Sequence, residues 1–111
     1  MKYFLTAKER EETHNENFLQ FEKGQYTNNT WKPDAFCMGV NVVVNYDFYN
    51  LFSYIIPKFD INANTLITKD TWDQIKERSH KNRHWEEAID ELNPWAEKCL
   101  KDYESFVIVG I

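Results

Sequence analysis

The sequence predicts an α+β fold, with about four helices packed on a small, mostly antiparallel sheet that includes a C-terminal strand over residues 106–110. Three patterns lead there. Phe106-Val107-Ile108-Val109 is an uncharged, β-branched run of the kind that pairs in a sheet. Phe48, Leu51, Phe52, Ile55, Ile56 and Phe59 recur at helical spacing and make one broad apolar face. Trp85, Ala88, Ile89 and Leu92 repeat that spacing. The 111 residues suit one domain over 1–111, large enough to fold without a metal or disulfide.

Residues Met1 to Leu5 fit a short edge strand. Thr6 and Glu9 form a Thr-x-x-Glu capping box, so a helix starts near Ala7. Glu11 to Asn17 carries no apolar residue, which suggests an interruption near His14-Asn15. Phe18, Leu19 and Phe21 return to the core, and Gly24 stops the element. Residues 25–34 read as a loop, extended at Trp31-Lys32 because a proline follows. The run Ala35 to Val44 is ambiguous, but its valines favour a strand. That stretch and the N-terminal residues are the expected partners of the C-terminal strand.

Asp47 is a suitable N-cap for the helix that follows, and Pro57 should end it near Ile56. Thr65-Leu66-Ile67 is a short extended piece. Thr68 caps the next helix, whose Trp72 and Ile75 face inward and which fades near His80 to Arg83. A longer helix follows. Asn93-Pro94 resembles a cap and a first-turn proline, which suggests a break and restart, with Cys99, Leu100 and Tyr103 continuing the apolar face. The expected core is Phe48, Leu51, Phe52, Ile55, Trp72, Ile75, Trp85, Ile89, Leu92 and Leu100.

Composition narrows function by exclusion. The net charge is −5, from 18 acidic and 13 basic residues, which disfavours a broad nucleic-acid surface. Residues Lys76 to His84 are locally basic and flanked by Trp72 and Trp85, but both tryptophans fit core stripes. No apolar signal core follows Met1, and no run is long enough to span a membrane, so a cytoplasmic, membrane-free protein is expected. Cys37 and Cys99 sit in apolar surroundings and read as buried, reduced thiols.

Catalytic and cofactor signatures are sparse. His80-x-x-x-His84 has chelating spacing, but Lys81 and Arg83 lie between the histidines and repel a cation; no metal is expected. The glycines are Gly24, Gly39 and Gly110, too scattered for a nucleophile elbow or a phosphate-cradling loop, so no cofactor is expected.

Two surface patterns remain. Glu86, Glu87, Asp90 and Glu91 lie between core positions and should face water together. Glu86/Asp90 and Glu87/Glu91 are like-charged pairs one turn apart, a mildly destabilising arrangement that a basic partner would relieve. Simple solvation of the helix is the plainer reading. Tyr46, Tyr49 and Tyr54 lie off the apolar stripe and suit an interface, with burial in a second core layer as the competing reading.

The C-terminal third carries a resemblance. Thr68-Lys69-Asp70-Thr71-Trp72-Asp73-Gln74-Ile75 resembles segments of immunity proteins of bacterial polymorphic toxins, contact-dependent growth inhibition systems in particular. So does the ending Leu92-Asn93-Pro94-Trp95 with Phe106 to Ile111. The likeness covers residues 68–111. It implies a protein that is not an enzyme and that neutralises a cognate toxin domain, a basic nuclease for instance, by stoichiometric binding. Two other readings stand beside it. One is a small enzyme with a site assembled in three dimensions around His80, His84 and Glu87. The other is a generic interaction or regulatory subunit.

Overall fold

The computed structural model describes residues 1–13, 17–25 and 32–111. Five strands and five helices follow one another along them: β1 (Leu5–Thr6), α1 (Ala7–Thr13), β2 (Phe18–Lys23), β3 (Phe36–Gly39), α2 (Val40–Asn45), α3 (Phe48–Ile55), β4 (Thr65–Thr68), α4 (Lys69–Ser79), α5 (Arg83–Tyr103) and β5 (Ser105–Val109). The strands form one antiparallel sheet in the order β1-β3-β2-β5-β4. The fold is α+β, and its C-terminal strand lies inside the sheet rather than at an edge. The interruption expected near 14–15 and the extended Trp31 fall outside the described residues.

Side chains alternate across the sheet. Leu19 and Phe21 of β2, Met38 of β3, Ile67 of β4, and Phe106 and Ile108 of β5 face the helices and join one core cluster. Trp72 of α4 meets Phe106 edge-on at 5.4 Å between centroids, and Trp95 of α5 meets both Phe36 and Phe106. Every expected core residue is buried except Ile55 and Leu100, which pack against the core while half-buried. On the opposite sheet face, Arg10 of α1 donates to Gln20 Oε1 at 2.6 Å and lies over Phe18.

The capping box forms in full. Glu9 N–H donates to Thr6 Oγ1 at 3.2 Å, and Thr6 N–H donates to Glu9 Oε1 at 3.0 Å. Asp47 and Thr68 hold the positions before their helices, but neither side chain bonds the helix backbone. Asp47 is instead in the left-handed region, at φ 55. It turns the chain between two helices rather than capping one.

Three expectations are corrected. Residues 40–44 form a helix, not a strand. β2 begins at Phe18 opposite Gly39, so the ladder on that side ends there, with Val40 N–H on Asn17 O. Val43 then turns inward while Val44 is left 70% exposed. β5 pairs with β2 and β4, not with 40–44 or the N-terminus; β1 pairs with β3. Finally, α5 runs unbroken through Pro94. Pro94 and Asp90 are both exposed, so the Asp90 carbonyl that loses its helical partner can take one from water. Asn93, rather than capping a new helix, accepts the Trp72 indole N–H at 2.9 Å.

Candidate functional site

The four carboxylates of α5 do not act as one outward face. Only Asp90 is exposed; Glu86, Glu87 and Glu91 are half-buried. Positions 84, 87 and 91 follow one another along a helix, and residues Lys2 and Tyr3 lie across that stripe. Glu91 accepts the backbone N–H of both Lys2 and Tyr3 at 3.1 Å. Glu87 accepts the Tyr3 hydroxyl at 2.8 Å, the Lys2 ammonium at 3.3 Å and the Arg83 guanidinium at 3.0 Å. These hydrogen bonds, Tyr3 first, hold the Glu87 carboxyl down at about 2. The like-charge repulsion anticipated between Glu87 and Glu91 is thus offset inside the molecule.

Tyr3 is the centre of this arrangement. Its ring is 3% exposed and packs edge-on against Tyr46, Phe48 and His84. Its hydroxyl also lies 2.9 Å from His84 Nδ1. His84 and Glu87 are therefore brought together, through a residue that sequence reasoning did not single out. His80 is not part of the group. It closes the end of α4, and its Nδ1 bonds Glu86 Oε2, which favours the protonated ring. The histidines thus sit on separate elements with separate partners, not one turn apart on one helix. Among the described residues no group of three or more His, Cys, Asp or Glu is placed to hold a metal ion.

The tyrosines differ. Tyr46 is half-buried against the core, 4.3 Å from the His84 ring, and its carbonyl accepts the Trp85 indole N–H. Tyr49 is 47% and Tyr54 68% exposed on the outer side of α3. Arg78 of α4 lies 3.8 Å above the Tyr54 ring and donates to Asn50 Oδ1 at 2.6 Å. The same guanidinium is 5.3 Å from the Trp85 ring. Arg78 thus joins Tyr54 to Trp85, while His80 joins Glu86 where α4 meets α5, with Asp90 one turn further along α5. The periodicity of α3 marks Tyr49 and Tyr54 as off-stripe; no sequence signal places Arg78 between them and Trp85.

The basic stretch 76–84 is dispersed. Lys76 pairs with Asp73 and Glu97, Arg83 with Glu87, and Arg78 stacks on Tyr54. Both flanking tryptophans are buried. Cys37 and Cys99 are free, buried thiols whose pKa burial pushes up, that of Cys99 to about 11. Neither is in the thiolate form that nucleophilic attack needs near neutral pH. No described helix is long and apolar enough to cross a membrane. The chain matches no protein-family model, no curated protein and no solved structure.

Proposed function

We propose that this chain is an immunity protein: it binds a cognate, basic toxin domain, a nuclease for instance, and blocks it one-to-one, acting by binding rather than catalysis in the cytoplasm. The observation that carries the reading is the exposure of Tyr49 and Tyr54 on α3 together with that of Asp90 on α5. Exposed tyrosines together with carboxylates suit a partner that is basic and in part apolar, because rigid aromatic side chains lose little entropy on docking. The net charge of −5 adds long-range attraction to such a partner. Within the site first drawn from sequence, the roles divide. Glu86, Asp90, Tyr49 and Tyr54 meet the partner. Glu87, Glu91 and Tyr46 hold the N-terminal segment and the start of α5 in position behind them.

The test is co-expression in bacterial cells with the toxin domain encoded beside this chain. Growth should be protected, and light scattering on the purified mixture should give a one-to-one complex. Replacing Glu86 and Asp90 by Lys should slow association and reduce its salt dependence, since exposed charges act over about 8 Å at physiological ionic strength. Full protection and unchanged association by that variant would remove these carboxylates from the interface.

A further inference from the structure

Arg78 is a partly buried cation fixed by three elements. Tyr54 of α3 and Trp85 of α5 lie 3.8 Å and 5.3 Å from its guanidinium, and Asn50 accepts from Nη2. Its Nε is buried and has no hydrogen-bond partner among the described residues. No ion pair among the described residues includes it. A charge held partly out of water without a counter-ion is unfavourable, and the usual remedy is an anion.

A concavity of about 420 Å³ opens beside it. It is shallow and open rather than enclosed, so a bound ligand would lie along its wall with one side in water. Tyr54 and Ile55 supply an apolar wall, and Lys81 and Glu77 also line the space. Asp73 also lines the space, but Lys69 and Lys76 already pair with it. Of the charged groups lining it, the two cations Arg78 and Lys81 thus exceed the one carboxylate without an ion pair, Glu77.

We propose that this concavity binds a small organic carboxylate with an apolar body, the anion meeting Arg78 and the body lying along Tyr54 and Ile55. Stacking fixes the plane of the guanidinium; Nε–H is buried within it and Nη2 already donates to Asn50, so an anion meets the group at its Nη edge. A carboxylate can take a charge-assisted bond there that a neutral amide cannot match. The site is a property of the isolated chain and does not depend on the inhibitor reading.

The experiment titrates the isotope-labelled full chain with phenylacetate, and separately with phenylacetamide and acetate. It follows the Arg78 Nε–H and Trp85 indole resonances. Phenylacetate should give saturable shifts, with binding at least about tenfold tighter than the amide, the worth of one charge-assisted hydrogen bond. Acetate should also bind more weakly than phenylacetate, for want of the apolar body. Arg78→Gln should abolish the shift at Trp85. If that variant fails to fold, the acid–amide comparison on the unaltered protein still decides. Equal response to acid and amide, or shifts that never saturate, would show that Arg78 is only a bolt between helices and overturn the proposal. Acetate as strong as phenylacetate would remove the apolar wall from the site and overturn it equally.

Discussion

Glu87 shows how one side chain can reverse role between sequence and structure. On the helix it is one of several acids; in the fold it anchors Tyr3, Lys2 and Arg83. Its pKa falls from 4.5 to about 2, so its contribution to stability is complete above about pH 4.5 and is lost as pH falls toward 2. Glu87→Gln should therefore lower the melting temperature at pH 7, and the gap to the unaltered protein should close across that window. A gap constant with pH would mean that packing, not ionisation, sets the difference. Glu22 on β2 has the opposite sign. It is 3% exposed, its Oε1 has no partner among the described residues, and burial raises its pKa. Glu22→Gln should raise the melting temperature at pH 7, with the gain shrinking as the pH is lowered until the native carboxyl protonates.

At the scale of elements, local rules succeeded where the causes were local. The Thr6–Glu9 box and the inward stripe of α3 depend on residues within a few positions of one another, and both were readable. Thr6→Ala should cost about 0.5–2 kcal/mol in denaturant unfolding. Leu92 and Phe52 are 0% and 1% exposed, and truncating either to Ala should cost about 2–5 kcal/mol by the same measurement. Losses below about 0.5 kcal/mol, typical of surface positions, would contradict their place in the core. The failures had distant causes. The β2 strand alternates only weakly because Glu22 and Phe18 share its far face, and nothing nearby announces its partners. The valines of α2 favour a strand but have no further ladder to join. Pro94 persists in α5 because Leu92, Ala96 and Cys99, all buried, hold both flanks of the helix in the core. It still removes one backbone bond, so Pro94→Ala should stabilise the protein by about 1–3 kcal/mol.

At the scale of the molecule, the candidate interface was half legible. Off-stripe spacing identified Tyr49 and Tyr54, and Asp90 lies on the surface as expected. The diversion of Glu87 and Glu91 was not legible, because it depends on residues 2 and 3, more than eighty positions away. This division makes a contrast that can be measured. Charge reversal at Asp90, which is exposed, should leave the unfolding midpoint nearly unchanged and act on association alone. Reversal at Glu87 and Glu91 should release the N-terminal segment, seen as faster hydrogen exchange at the Lys2 and Tyr3 amides and a lower midpoint. Equal midpoints for the Asp90 and the Glu87/Glu91 variants would contradict the anchoring role.

The position of β5 carries a consequence for biosynthesis. Among the described residues it is the last element in sequence order, yet it is the strand that links β4 to β2. Until residues 105–109 have been synthesised, β2 and β4 each lack a neighbour, and Leu19, Phe21 and Ile67 cannot be enclosed. The native sheet therefore closes only once residues 105–109 are available to it. A message truncated before Ser105 would yield a chain with two additional open edges, on β2 and on β4, the kind of species that chaperones retain and proteases remove.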